Sequence, residues 1–253
     1  MSGLKFAIII PARYASSRFP GKPLAKLGGI PVIERVYRQA RQACDNVYVA
    51  TDDNRIRETV ENFGGKVIMT SPSHMSGTDR ICEAVNKICE KTDVVINIQG
   101  DEPFIRPEQI KLLMECFNTP VTQIATLAKK FDKSKGFQAL FDPSLVKVTF
   151  NAKGDAMYFS RSIIPYVRDY RWEEWLDHAD FYTHIGMYGY RKQILDEICR
   201  LPKGGYETAE SLEQLRWLQS GYTVKVAITE FETIGIDTPE DLRNAEKFLQ
   251  TKD

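Results

Sequence analysis

The stretch from Lys5 to Leu24 reads KFAIIIPARYASSRFPGKPL. After Lys5 its first part, Phe6 to Ile10, is apolar at every position, with no alternation. That is the pattern of a strand buried on both faces, which parallel sheets covered by helices require. The segment directly after this strand is cationic and rich in small residues. Arg13, Arg18 and Lys22 lie within ten residues, spaced by Ala15, Ser16, Ser17 and Gly21.

Outward from this segment the same unit recurs. Strand-like runs at Asn46 to Ala50, Lys66 to Met69 and Val94 to Ile98 alternate with helical spacing at Pro31 to Ala43, Asp53 to Phe63, Thr78 to Glu90 and Pro107 to Phe117. The last of these carries proline at its first position, where a missing N–H costs nothing. The alternation predicts an α/β fold with a doubly wound, mostly parallel sheet, in which ligands bind at the carboxyl ends of the strands. The loops after Ile10 and Ile98 then share one edge.

The second half is less regular. Val146 to Phe150 and Ala156 to Phe159 read as a hairpin across Asn151 to Asp155, and Pro165 to Asp180 is rich in aromatic and charged residues. Phe181 to Tyr190 and Tyr222 to Ala227 read as strands, and Glu207 to Ser220 as one helix. Pro239 to Leu249 is a helix for which Thr238 supplies the cap. With no repeat or linker in view, residues 1–253 are expected to form a single domain. An inserted lobe at about 130–190 is expected to make a dimer contact.

Composition narrows the function classes. Lysine plus arginine and aspartate plus glutamate number 34 each, so the basic excess of a dedicated nucleic-acid binder is missing. No apolar run reaches the ~18 residues of a membrane span. The chain enters a strand after five residues, too early for a secretory signal, and a cytoplasmic location is expected. The five cysteines form no CxxC pair and read as free thiols, and the three histidines are too dispersed for structural zinc.

Four constellations carry chemistry. In Pro11 to Leu24, small residues let backbone N–H groups approach phosphate oxygens, while arginine forks and a lysine point charge neutralise them. The segment lacks the Gly-Lys-Ser/Thr ending of a Walker loop. In Ile96 to Ile105, INIQGDEPFI, an apolar strand feeds a Gly-Asp-Glu turn suited to a divalent cation, because magnesium prefers one or two carboxylates completed by phosphate oxygens and water. Capping before Pro107 is the bland role for the same acids. Ser73 to Arg80, SHMSGTDR, is weak alone, with Thr78 a plausible helix cap. In Gly235 to Leu242, GIDTPEDL, Asp237 is either a cap-region residue or a second metal ligand from a distant part of the chain.

PARYASSRFPGKPL, HMSGTDR, NIQGDEP, YFSRSIIP, HIGMYGYR and GIDTPEDL occur in this order. Together they resemble the 3-deoxy-manno-octulosonate (Kdo) cytidylyltransferases, over about Lys5 to Leu242. Phe19 stands where leucine is common in that family. The resemblance implies transfer of CMP from CTP to Kdo with release of pyrophosphate, a requirement for Mg2+, and a cytoplasmic homodimer serving lipopolysaccharide synthesis. It implies that Lys22, Arg13, Asp101 and Asp237 are catalytic, the two aspartates as metal ligands. Ala12, Arg13, Ser16, Arg18, Lys22, Arg80 and Gln99 are expected at the nucleotide. Arg161, His184, Tyr188, Glu213 and Gln214 are expected at the sugar acid. On the residues alone the last five read as ordinary positions, His184 as an interior histidine. CTP and the sugar acid are the implied partners, with neither nucleic acid nor membrane. A close analogue such as 8-amino-Kdo and a non-catalytic sugar-nucleotide sensor remain alternatives, whereas a glycosyltransferase would not explain the cationic loop and no suitably placed DxD is present. A dehydrogenase is disfavoured because no GxGxxG follows the first strand.

Overall fold

The computed structural model describes residues 3–74 and 76–250. The chain starts with β1 (Phe6–Pro11), then a small ribbon of β2 (Lys26–Leu27) and β3 (Ile30–Pro31), and α1 (Val32–Arg41). Next come β4 (Val47–Thr51), α2 (Asn54–Asn62), β5 (Lys66–Met69), α3 (Gly77–Asn86), β6 (Val94–Asn97) and α4 (Pro107–Glu115). The second half contributes β7 (Ile124–Lys130), β8 (Lys147–Phe150), β9 (Ala156–Ser160), α5 (Trp175–His178), β10 (Tyr182–Arg191) and α6 (Lys192–Ile198). It ends with α7 (Gly205–Glu210), α8 (Gln214–Gln219), β11 (Val224–Ile228) and α9 (Pro239–Gln250).

The central sheet has the order β11-β7-β10-β6-β1-β4-β5, with the β8–β9 hairpin attached to β10. β10 is antiparallel to both its neighbours, and the other six strands of this path run one way. The unbroken apolar run of β1 is explained by the two layers it separates. Ile8 and Ile10 pack with Ile33 and Val36 of α1 and with Ile110 and Leu113 of α4. Ile9 faces the opposite layer, with Ile81 and Val85 of α3 and Leu195 and Ile198 of α6. A single strand thus serves both layers, because its alternate side chains are all apolar.

Two elements are added to the sequence reading and two expectations are corrected. β7 is absent from the sequence reading: IATLAKK has weak strand propensity, and its state comes from pairing with β10 on one side and β11 on the other. So is α6, whose seven residues follow directly on β10. The helix expected over Glu207 to Ser220 is two helices, broken at Ser211, whose φ of 52° is left-handed. The break turns Gln214 into the core, where it is 5% exposed, and leaves Glu210 to accept from Ser160 Oγ at 2.7 Å and Arg161 N at 2.8 Å. Thr78 is not the cap of α3; Ser76 is, its hydroxyl accepting from Asp79 N at 3.1 Å.

Phe131, Leu140, Trp175, Leu176 and Phe181 form a small apolar cluster of their own, while β8, β9 and β10 belong to the central sheet. Among the described residues no helix is long and apolar enough to cross a membrane.

Candidate active site

Because β1 and β6 are parallel neighbours, their carboxyl ends deliver the two loops to one edge. The loops pack so closely that a Cβ on Gly100 would lie 2.9 Å from the carbonyl oxygen of Pro11, so only glycine fits there. In the first loop, Gly21 takes a left-handed φ of 73°, donates to Tyr14 O at 2.9 Å and starts the short turn that carries Lys22. The third segment arrives from far along the chain: Ile236 N donates to Asp101 O at 2.9 Å, which places Asp237 beside Asp101. Thr238 caps α9 as expected, accepting from Asp241 N at 3.1 Å, while Asp241 Oδ2 accepts from the backbone N–H groups of Asp237 and Thr238.

These loops enclose a cavity of about 260 Å3 lined by Ala12, Arg13, Ser16, Arg18, Lys22, Arg80, Gln99, Asp101 and Asp237, with His74, Ser76 and Gly77 at the start of α3. Met75, inside the same motif, lies outside the described residues. All seven side chains expected at the nucleotide, and both aspartates, therefore line one cavity. Lys22 Nζ lies 2.5 Å from Asp101 Oδ2 and 3.0 Å from Asp237 Oδ1, and Arg18 Nη2 lies 3.1 Å from Asp237 Oδ2. Arg80 is 4% exposed, donates to Thr70 Oγ1 at 2.6 Å and pairs with Asp52 at 3.3 Å. A guanidinium has five donors, so Arg80 keeps capacity for a ligand oxygen. Gln99 Nε2 donates to Asn97 Oδ1 at 3.2 Å.

The aspartate pair suits a divalent cation. Their oxygens already converge on one ammonium, and the adjacent Glu102 holds a buried Oε2 with no partner among the described residues. Burial, reinforced by the charges of Asp101 and Asp237, pushes the Glu102 carboxyl up to about 8. Among the described residues no three of the usual metal-ligating side chains group together. A cation here would rest on two carboxylates and take its other ligands from phosphate and water, which is the preference of Mg2+.

The five residues expected at the sugar acid are placed differently. His184 Nε2 is 2.9 Å from Thr126 Oγ1, and burial pushes its imidazole down to about 3, so the ring is neutral near pH 7. Tyr188 packs beside it at 5.3 Å between ring centroids, with burial raising its hydroxyl above the usual range. Glu213 and the buried Gln214 open α8, and Glu213 Oε2 accepts from Thr78 Oγ1 at 2.5 Å, which connects them to the α3 side of the cavity. Arg161 stands apart. Its guanidinium donates to Glu210 O at 2.6 Å and Pro143 O at 2.8 Å, and it lines a second cavity, of about 430 Å3, beside Phe141, Tyr166 and Trp172.

Two residues of this region lie inside the motifs read from the sequence but outside the expected site set. Glu102 stands out there only beside Asp101. His74 lines the cavity and is held by Glu83, which Lys87 Nζ and the Ser71 N–H also contact, at 2.6 and 2.9 Å. Lys87 above all, then the Ser71 N–H and His74, holds the Glu83 carboxyl down at about 2. The only signal for the pair is the spacing from His74 to the polar face of a helix.

A sheet of this topology with a cationic loop after its first strand, paired with two aspartates from distant segments, defines a nucleotidyltransferase. Comparison with known proteins narrows the class: residues 7–234 match the model of the cytidylyltransferases, and the chain belongs to that family. A 3-deoxy-manno-octulosonate cytidylyltransferase of Parabacteroides distasonis is 58% identical, over 98% of this chain and 100% of the relative. An 8-amino-3,8-dideoxy-manno-octulosonate cytidylyltransferase of Shewanella baltica is 45% identical, over 97% of this chain and 99% of the relative. Among solved structures, a CMP:2-keto-3-deoxy-manno-octonic acid synthetase complexed with CTP superposes with a TM-score of 0.90 at 41% identity, covering 98% of this chain and 100% of that one.

Proposed function

We propose that this chain transfers CMP from CTP to the anomeric hydroxyl of 3-deoxy-manno-octulosonate, releasing pyrophosphate. The observation that carries the proposal is the convergence of Lys22 with Asp101 and Asp237 at the mouth of a cavity also lined by Arg13, Arg18 and Arg80. The full-length likeness to Kdo cytidylyltransferases supports the choice of substrate.

The anomeric hydroxyl loses its proton to solvent as its oxygen attacks the α-phosphorus in line, the bond from that phosphorus to the bridging oxygen breaks, and pyrophosphate leaves with its electron pair. Such transfers depend on positioning and charge neutralisation more than on covalent help. Lys22, Arg13 and Arg18 neutralise charge growing on the phosphates. Backbone N–H groups and Ser16 of the same loop hold the triphosphate, and Arg80 and Gln99 hold the nucleotide from α3 and the β6 loop. Asp101 and Asp237 would hold Mg2+, which when bound polarises the α-phosphate and lowers the pKa of the attacking hydroxyl. His184, Tyr188, Glu213 and Gln214 form the sugar side, and Arg161 is tied to the segment just before Glu213 through the carbonyl oxygens of Glu210 and Ser211. None of the five free cysteines is needed.

The assembly we infer is a cytoplasmic homodimer feeding lipopolysaccharide synthesis. Five unpaired thiols agree with a reducing compartment. Phe141, Tyr166 and Trp172 are exposed around the second cavity, an aromatic surface suited to a second copy.

The deciding experiment measures pyrophosphate release with CTP, Mg2+ and Kdo, beside a sialic acid, 8-amino-Kdo and other nucleotides. Rapid release with CTP and Kdo is expected. Release with 8-amino-Kdo alone moves the substrate and keeps the chemistry, whereas CTP binding with no release for any sugar acid leaves a sensor.

A further inference from the structure

We propose that Thr78 is a positioning residue that sets the Glu213 carboxylate for the sugar acid and ties the nucleotide-side helix α3 to the sugar-side helix α8. This rests on the reading that Glu213 faces the sugar acid. Thr78 is 2% exposed, and it does not cap α3, because the Ser76 hydroxyl does. Its own hydroxyl is free for a contact across 135 residues of sequence, and donates to Glu213 Oε2 at 2.5 Å. The other carboxylate oxygen, Oε1, accepts from Arg216 Nη2 at 2.6 Å. With Thr78 on one oxygen, Arg216 on the other and the Ser76 side chain beside them, both the position and the plane of the carboxylate are fixed.

The two donors differ in what they report. Arg216 lies on α8 itself, three residues from Glu213, and moves with it. Thr78 lies in the first turn of α3, between Gly77 and Arg80, which line the nucleotide cavity. That turn is anchored again where the Thr78 carbonyl accepts from Cys199 Sγ at 3.7 Å. The Thr78–Glu213 bond is therefore a direct link between the wall that holds the nucleotide and the helix that presents a carboxylate to the acceptor. Burial raises the Glu213 carboxyl above its ordinary range, and the Thr78 hydrogen bond opposes that rise. Removing the hydroxyl takes away the short donor on Oε2 and leaves the carboxylate to Arg216 and the Ser76 side chain, with more freedom to rotate from its bound orientation.

The test compares Thr78→Val, which keeps the shape and deletes the donor, with Thr78→Ser, which keeps the donor. Thr78→Ala takes the place of valine if the valine variant does not fold. Glu213→Gln is run beside them, with KM for CTP and for the sugar acid and kcat measured on each full-length protein. Loss of a hydrogen bond to a charged group predicts a roughly ten- to hundredfold loss in kcat/KM for the sugar acid. KM for CTP is expected to stay within about twofold, and serine to restore most of the loss. A merely structural threonine would disturb both substrates together or yield to neither substitution. If Glu213→Gln harms sugar use but Thr78→Val does not, or Thr78→Val harms CTP and sugar equally, the positioning role is overturned. If Glu213→Gln leaves sugar use intact, the underlying placement of Glu213 fails and the proposal fails with it.

Discussion

Replacing Lys22 with alanine removes an ammonium that lies 2.5 Å from Asp101 and 3.0 Å from Asp237. The lysine side chain is 12% exposed, so its charge is screened far less than that of a surface lysine. The nearest other cation on the pair is Arg18, 3.1 Å from Asp237 but 65% exposed and on a flexible stem. Deleting one preorganised charge from a site where negative charge develops costs about 10²–10³ in rate, or about 2.7–4 kcal/mol. Lys22→Ala should therefore lower kcat by at least about a hundredfold, with a smaller change in KM for the sugar acid. The assay is steady-state pyrophosphate release with each substrate varied in turn, and CTP affinity measured by calorimetry. A kcat within about threefold of the parent, accompanied by a raised KM for the sugar alone, would falsify the assignment of Lys22 to the phosphate side.

Asp101→Asn should abolish turnover, by at least about the hundredfold felt even at residues that only support a metal ligand, while thermal unfolding stays near that of the parent; near-normal activity with Mg2+ refutes the metal assignment. Glu83→Gln tests the anchor of His74: a folded value of about 2 against 4.5 unfolded corresponds to at most about 3.4 kcal/mol, and with the side chain 25% exposed we expect about 1–2 kcal/mol. Because the folded value is depressed, that stability is present above pH ~4.5 and is lost as pH falls toward ~2, so the gap between parent and variant in urea midpoints should shrink to roughly three-fifths by pH 3.5; a gap that stays constant or widens on acidification refutes it. Placing glutamate at both Tyr166 and Trp172, which are 71% and 53% exposed, should shift sedimentation from dimer to monomer, and a parent that is monomeric at micromolar concentration would overturn the assembly.

The first half of the fold is legible in the sequence because its physics is local. Phe6 to Ile10 are apolar at every step, and only a strand between two helical layers buries both Ile8 and Ile9. Where burial is dictated by partners instead, the pattern is mute. Ile124 to Lys130 ends in two lysines and contains two alanines, and nothing within it distinguishes a strand from a loop; β10 and β11 do so from outside. Nor does Glu207 to Ser220 contain glycine or proline to mark its break. Ser211 pays the cost of a left-handed backbone for contacts made elsewhere, by Glu210 with Ser160 and Arg161.

The same division runs through the site. The cationic loop and the Gly-Asp-Glu turn can be placed together from strand order alone, because parallel neighbours bring their carboxyl ends to one edge. Asp237 cannot, since on the residues alone capping and metal binding are equally good accounts of it. The structure shows that these accounts are not alternatives. Asp241 and Thr238 form the cap, and Asp241 also accepts from the Asp237 N–H, so the cap itself fixes the backbone from which the Asp237 carboxylate reaches Lys22. Thr78 and Ser76 divide their work in a comparable way. Serine takes the local backbone donor, and threonine is thereby released for Glu213. At α9 the cap holds the backbone that turns Asp237 toward the cavity, whereas at α3 the capping Ser76 itself lines the cavity and Thr78 is turned inward to Glu213. The spacing of such a pair is visible in a sequence, but which member does which is decided by the distant segment that packs against it.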